Sequence, residues 1–253
     1  MNRLIETHSK DSLRAPVIAW EWEKAGYIPT WHEPLFDLMA RYVPGGSRIL
    51  EVGAGGSHTL GSLARRLGCE AYGIEPDMAG ITSTLTLAAT EGANVEMVRG
   101  DGFVLPFAGD AFDVVYSLGL IEHFAPREST ALLAEQVRVC RPGGRVLVSV
   151  PNLLNLPHTL NKLVLAKRYT FYPERSYTPG QLRAALEAAG LRVIASDGLL
   201  PLWSLGMIRG GWRVTAALDC LRIAARLNRL ESARTRATIG YMTFAVGERP
   251  SSH

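Results

Sequence analysis

Apolar residues run along this chain in two alternating rhythms. Short segments rich in aliphatic residues, Arg48–Val52, Glu70–Glu75, Val95–Arg99, Phe112–Ser117 and Arg145–Val150, read as strands. Between them Thr59–Leu67, Ala79–Thr90 and Ser129–Cys140 space their apolar residues as helices do. Regular alternation of this kind predicts a parallel sheet with helices packed on it. Ahead of the first strand, Leu35–Tyr42 reads as a helix that stops before Pro44-Gly45-Gly46. Arg141-Pro142-Gly143-Gly144 reads as a helix-stopping turn that leads directly into the fifth strand.

Beyond that strand the rhythm weakens. Pro151–Tyr177 fits no regular element, whereas Thr178-Pro179-Gly180-Gln181 places an N-cap and a proline at the start of a helix over Gln181–Ala189. Gly190 ends that helix, Leu191–Ala195 forms a sixth strand, and a long insertion over Asp197–Thr238 precedes a last strand at Tyr241–Val246. The expected organisation is one domain over residues 1–253: an aromatic amino-terminal cover (1–46), a ligand-binding core (47–152), and substrate-side elements (153–253) with a helical insertion at about 197–238.

Composition adds exclusions. With 253 residues and 47% apolar content the chain buries a full core without staples. A net charge of +3 does not call for a nucleic-acid partner. Cys69, Cys140 and Cys220 form no C-x-x-C pair, so no metal or redox centre is expected and a reducing compartment is consistent. Met1–Asp11 is polar and mixed in charge, unlike a secretory leader, and the apolar run Gly198–Ile208 is too short to span a bilayer. The expected location is the cytoplasm.

The chemistry begins at Glu51-Val52-Gly53-Ala54-Gly55-Gly56-Ser57, where a strand runs into a glycine-rich turn just after an acid. In open α/β sheets that edge binds nucleotide-like ligands. A dinucleotide fingerprint needs a third glycine where His58 stands, so that fingerprint fails. Glu75 ends the second strand 22 positions after Gly53, where an acid can take both hydroxyls of a ribose; alternatively it caps the helix that follows, with Pro76 in the first position. Asp101 follows the third strand in Arg99-Gly100-Asp101-Gly102-Phe103, a pattern that by itself is also an Asp-Gly turn.

The E-x-G-x-G-x-S segment, the strand-end Glu75, the acid Asp101, the fourth-strand edge Tyr116-Ser117-Leu118-Gly119-Leu120-Ile121-Glu122-His123 and the Arg141–Gly144 turn together resemble class I S-adenosylmethionine-dependent methyltransferases, specifically the ubiquinone-type small-molecule members, over about residues 46–152. Weaker support comes from S-Y-T-P-x-Q-L at Ser176–Leu182. The resemblance implies a Rossmann-like, doubly wound, seven-stranded α/β sheet with an antiparallel last strand. It implies S-adenosyl-L-methionine as cofactor, converted to S-adenosyl-L-homocysteine, with contacts from Glu51, Gly53, Ala54, Gly55, Glu75, Pro76, Asp101, Gly102, Phe103, Ser117 and Leu118. Ser57 departs from the family's third glycine, and the N/D-P-P-Y/F quartet of nucleobase enzymes is missing, which argues against nucleic-acid methylation.

A methyl acceptor that is a phenol or enol needs a base, and His123 after the fourth strand is the first candidate, against a plain packing role. His58 either faces the substrate or caps the next helix. Trp20, Trp22, Tyr27 and Trp31, with Tyr172 from the later segment, are expected to wall a pocket for a small aromatic or lipophilic acceptor, methylated at oxygen. The apolar arc of Gly211–Leu230, with a narrow stripe of Arg222, Arg226 and Arg229 opposite part of it, reads as packing within a monomer or across a homodimer in preference to a membrane surface. The rival readings are a membrane-associated quinone or lipid methyltransferase, a natural-product enzyme acting at carbon or nitrogen, a non-catalytic binding module, and a nicotinamide-dependent oxidoreductase. Asp101 and the failed fingerprint count against the last.

Overall fold

The apolar runs of the sequence meet in one sheet built from β1 (Arg3–Glu6), β2 (Arg48–Val52), β3 (Glu70–Glu75), β4 (Val95–Arg99), β5 (Phe112–Leu118), β6 (Cys140–Pro151), β7 (Arg192–Leu199) and β8 (Met242–Glu248). The computed structural model describes residues 3–6, 32–165, 174–199 and 232–251. The strand order is β1-β4-β3-β2-β5-β6-β8-β7. All neighbours pair in parallel except β8, which runs antiparallel to both β6 and β7. The seven expected strands are present, the last one antiparallel as expected. An eighth, β1, pairs with the outer edge of β4 where the sequence suggests only a cover.

Seven helices accompany the sheet among the described residues: α1 (His32–Met39), α2 (His58–Leu67), α3 (Met78–Thr90), α4 (Pro126–Val139), α5 (Leu156–Leu165), α6 (Pro179–Ala188) and α7 (Ala233–Ile239). Side chains alternate along each strand. Ile49 of β2 packs in the layer with Met39 of α1, Leu60 and Leu63 of α2 and Ile81 of α3. Leu50 and Val52 face the opposite layer, with Leu132 of α4 and Leu182 and Leu186 of α6. No described helix is long and apolar enough to cross a membrane.

Several boundaries depart from the sequence pattern. Helix α1 starts at His32, three residues before the predicted Leu35, and the chain turns at Ala40–Val43. Helix α4 starts at Pro126, ahead of Ser129, because proline suits the first helical position and Glu128 accepts the Ala125 N–H at 2.8 Å. Arg141–Gly144 does not leave the sheet: Phe112 pairs with Cys140 and Val114 with Arg145, so the turn is a bulge inside β6, held from the far side by the Gly143 N–H to Arg249 O bond of 2.8 Å.

The segment read as irregular contains α5, whose start is capped by Asn155 Oδ1 accepting from the His158 N–H at 3.0 Å. The expected insertion is narrower than 197–238, since β7 continues through Leu199 and α7 begins at Ala233. Asp197, fully buried on β7, grips Arg236 of α7 with two bonds of 2.7 Å. At the end of β6, Asn152 Nδ2 donates to the carbonyls of Ala237, Thr238 and Gly240 at 2.9–3.0 Å, and Asn155 Nδ2 to Ile239 O at 2.9 Å. These amides lock α5 and α7 onto the carboxyl end of the sheet.

Candidate active site

The chain leaves β2 toward β3 and β4, then returns to lay β5 on the other side of β2. The crevice outside the carboxyl ends of β2 and β5 is therefore the switch point where open α/β sheets take ligands. Glu51 and Tyr116 are register partners across these two strands. The Tyr116 hydroxyl donates to Glu51 Oε2 at 2.9 Å, and Ser57 Oγ donates to the same oxygen at 2.6 Å. Ser57 Oγ also accepts the Leu60 N–H at 3.1 Å, so one side chain both caps α2 and anchors Glu51. Burial pushes the Glu51 carboxyl up to about 7; the two hydroxyl bonds oppose that rise and nearby Glu75 adds to it.

Glu75 is also buried, at the end of β3. Its Oε1 accepts the Asp77 N–H at 3.0 Å, while Asp77 itself caps α3, so Glu75 is not the helix cap. Burial, aided by the Asp77 charge and opposed by backbone hydrogen bonds from Asp77 and Gly55, lifts its carboxyl to about 7. Neither Glu51 nor Glu75 pairs with a cationic side chain among the described residues.

The turn between the two acids holds Gly53 at φ +78°, a conformation suited to glycine, and a Cβ there would lie 3.1 Å from Leu120. Its amides are already engaged. Gly53 and Ala54 donate to Ile74 O at 2.9 and 3.1 Å, Gly55 to Glu75, Gly56 to Gly80 O at 3.2 Å, and Ser57 to Thr84 Oγ1 at 3.0 Å. Gly80 makes this possible: a Cβ on it would stand 3.0 Å from Gly55 Cα and 3.1 Å from Glu75 Cγ.

The other predicted contacts distribute around this centre. Asp101 is buried beyond β4, its Oδ1 accepting the Phe103 N–H at 2.9 Å in a tight local turn. Gly102 lies where a Cβ would stand 3.1 Å from Val52 and Leu132, so its bare face meets protein. Phe103 packs edge-on against Phe124 at 5.1 Å. Pro76 offers its carbonyl to Arg99, and Ala54 is buried beneath Thr84. Leu118 packs in the layer that also contains Tyr116. Ser117 points to the other layer, its hydroxyl buried without a partner.

Past β5 a single 3-10 turn, Ile121–His123, carries two more ionisable groups. Glu122 is buried with Oε2 unpartnered, and its carboxyl is pushed up to about 8, mainly by burial, with Glu174 adding and Lys162 opposing. His123 has a buried, unpartnered Nδ1, and burial holds its pKa below the ordinary value despite the Glu174 charge. Glu174 returns the chain to this turn, since the next residue, Arg175, donates its N–H to Glu122 O at 2.8 Å. Its carboxylate sits 3.2 Å from both His158 Nε2 and Lys162 Nζ on α5. Burial disfavours that charge, but the His158 bond and the Lys162 charge bring Glu174 below the usual carboxylate range.

His58 opens α2 with Nδ1 3.3 Å from Glu91 Oε1, and the cap position belongs to its neighbour Ser57. Trp20, Trp22, Tyr27, Trp31 and Tyr172 lie outside the described residues, as does the arginine stripe of Arg222, Arg226 and Arg229. Among the described residues no cluster of His, Cys, Asp and Glu could hold a metal ion.

Sequence reasoning missed Tyr116, Glu122, His158, Lys162 and Glu174. Tyr116 was detectable only by placing β5 beside β2 in register. The i, i+4 spacing of His158 and Lys162 signals a shared helix face once α5 is recognised.

A methyltransferase-domain family model matches residues 49–144. A ubiquinone biosynthesis O-methyltransferase of Rhizobium rhizogenes is 30% identical over 180 residues, covering 69% of this chain and 70% of that protein. Among solved structures, the methyltransferase bound to the Trm112 methyltransferase activator of Haloferax volcanii superposes with a TM-score of 0.63 at 20% identity, over 89% of this chain and 92% of that one. A SAM-dependent methyltransferase of Aquifex aeolicus gives 0.56 at 15% identity, over 86% and 89%. These structural likenesses concern the fold.

Proposed function

The chain belongs to the class I S-adenosylmethionine-dependent methyltransferase superfamily, and on that premise we propose that it moves a methyl group from S-adenosylmethionine to the oxygen of a small aromatic or lipophilic acceptor. The observation that carries the cofactor reading is the pair of buried acids, Glu51 and Glu75, beside a turn whose amides are engaged within the protein. A phosphate ligand needs free amides there; a ligand with a ribose diol and an ammonium group needs acceptors. The donor set therefore fits S-adenosylmethionine and opposes a nicotinamide dinucleotide. Glu75 would hold the ribose hydroxyls, Glu51 the amino end, and Asp101 the adenine edge.

When bound, the cofactor supplies a methyl carbon already activated by a sulfonium charge. The chain's own work is to hold the acceptor in line and to take its proton. His123 suits that task because its depressed pKa keeps it neutral, with Nδ1 unpartnered. An acceptor hydroxyl held beside His123 would pass its proton to Nδ1 as a bound cofactor supplied the methyl group. The imidazolium so formed is stabilised by the nearby Glu174 charge. Glu122, protonated at neutral pH, has an O–H with which to orient the acceptor. The name of the Rhizobium relative agrees with oxygen as the acceptor atom. Exposed Leu156, Leu160, Leu163 and Val164 on α5, the helix that holds Glu174, favour a lipophilic acceptor.

The test is single-turnover methyl transfer from labelled S-adenosylmethionine to a panel of phenols and hydroquinones, with His123→Ala beside the wild type. The expected loss is about 10²- to 10⁴-fold in rate with cofactor affinity unchanged. An unchanged single-turnover rate removes His123 from the reaction, and methylation confined to amines removes oxygen.

A further inference from the structure

A cavity of about 350 Å³ opens at the edge of the sheet opposite the crevice, and its walls include Pro44, Gly45, Ser47, Asp113, Arg141 and Arg145. These residues precede β2, open β5 and flank the bulge of β6. The length of β2, about 16 Å, therefore separates the cavity from the candidate active site, and the two share no residue. Its volume falls within the range of small-molecule sites, about 300–1,000 Å³.

The polar groups there are donors that the fold leaves partly unused. Arg141 Nε donates to Asp113 Oδ1 at 2.6 Å and Nη1 to Pro142 O at 3.2 Å, which leaves Nη2. Arg145 Nη1 donates to Tyr42 O at 2.6 Å, and this guanidinium pairs with no carboxylate among the described residues. The turn between them is closed by the Ser47 N–H on Pro44 O at 3.3 Å, while the Gly46 N–H binds Leu67 O at 2.8 Å. The Gly45 N–H and the Ser47 hydroxyl have no acceptor among the described residues. Asp113 is the one acid in the lining, and both its oxygens are taken, Oδ2 by the Arg48 N–H at 2.7 Å. Burial opposes its charge, but the bonds from Arg141 and Arg48 hold its carboxyl below the ordinary value. Two guanidiniums against one carboxylate leave the lining with one net positive charge.

We propose that this cavity binds a phosphoryl oxyanion, with Arg141 and Arg145 as its clamps. Guanidinium forks match phosphoryl oxygens in geometry as well as charge. Both are already held, Arg141 by Asp113 and Arg145 by Tyr42 O, so binding costs little side-chain freedom. A carboxylate has two oxygens and can occupy one fork. A phosphoryl group has three, enough for both arginines and for the Gly45 amide or the Ser47 hydroxyl. Above about pH 6 it is a dianion, which the positive lining favours. The cavity also has room for a body attached to that group.

The experiment follows the melting temperature of the full chain at pH 7.5 against inorganic phosphate and, separately, glycerol 3-phosphate, with chloride holding the ionic strength constant. At ten times its dissociation constant the ligand should raise the midpoint by about 3–6 °C, along a curve that saturates. Arg145→Gln and Arg141→Gln should each raise the half-saturating concentration about tenfold or more, and Arg145→Lys, a charge without the fork, by less. Arg141 is half-exposed, so its variant serves where Arg145→Gln fails to fold. Saturation by the ester at the lower concentration identifies a phosphorylated small molecule, and equal saturation identifies phosphate itself; either supports the site. A rise that never saturates and is equal in wild type and both variants is a general salt effect and overturns the proposal. A midpoint no higher than in chloride overturns it as well.

Discussion

Asp197→Ala should destabilise the protein by about 4 kcal/mol, and the structure supplies the parts of that figure. Asp197 is fully buried in β7, and both its oxygens are held by the Arg236 guanidinium at 2.7 Å, whose side chain is only 8% exposed. Deleting the carboxylate takes the bidentate counter-ion from that buried guanidinium, which costs about 3–5 kcal/mol. The Gly198 N–H, bonded to Asp197 Oδ1 at 2.8 Å, loses its acceptor and adds about 1 kcal/mol. Arg41, 3.4 Å away and half-exposed, adds little. Water entering the site returns part of the total. With a urea slope of about 3 kcal/mol per molar, the midpoint should fall by more than 1 M at unchanged slope. The double variant Asp197→Leu/Arg236→Met removes both charges and should recover most of the loss, because the penalty lies in burying a cation that has lost its carboxylate. A single variant that loses less than about 1 kcal/mol at unchanged slope refutes the reasoning, and so does a double variant worse than either single.

Glu122→Gln tests the buried carboxyl at the 3-10 turn. Its proton is kept to about pH 8 in the folded protein but lost near 4.5 in the unfolded chain, so wild-type stability should decline as pH rises through that window. Glutamine removes the decline due to this group, and melting temperatures of the two proteins should diverge in the variant's favour from pH 6 to 9; parallel curves would show Glu122 ionised throughout. Asn152→Ala should cost about 2–3 kcal/mol and speed hydrogen exchange in α7, whose terminal carbonyls it binds; unchanged protection of α7 counts against that anchoring role. Ser57→Gly and Ser57→Ala should each lose about 1 kcal/mol through the bond to buried Glu51, with a few tenths more for the cap in Gly and about 1 more in Ala, in thermal melts; the reverse order would mean that Ser57 does not act as a cap.

What the sequence made legible follows from local physics. The five strands of the core and the capping box at Thr178 and Gln181 are readable because burial on two faces and end-capping leave their mark within a few residues. Helix α5 was not readable, since Leu156, Leu160, Leu163 and Val164 point outward and its inward contact is made by His158 and Lys162; its pattern is inverted relative to an ordinary surface helix. The bulge at Arg141–Gly144 was misread for a related reason: proline and glycines announce a turn, but the ladders to β5 on one side and β8 on the other absorb it. Glu51, Glu75 and Asp101 are visible because each lies at or within two residues of the carboxyl end of a strand. Tyr116 and Glu174 matter through partners 65 and at least 12 positions away, a relation that only the strand order and the return of the chain create.

The glycine turn shows why spacing alone does not decide a ligand. A turn of the same outline can present its amides to a phosphate or spend them on its own fold. Here Ile74, Glu75, Gly80 and Thr84 take those amides. Among the described residues that leaves the buried carboxyls of Glu51 and Glu75 as the groups that flank the turn. Ser57 fits this arrangement. A glycine in its place would still cap the helix, but it could not bond Glu51, and the acid would rest on Tyr116 alone. The serine thus holds in place a buried acid that no cationic side chain among the described residues pairs with.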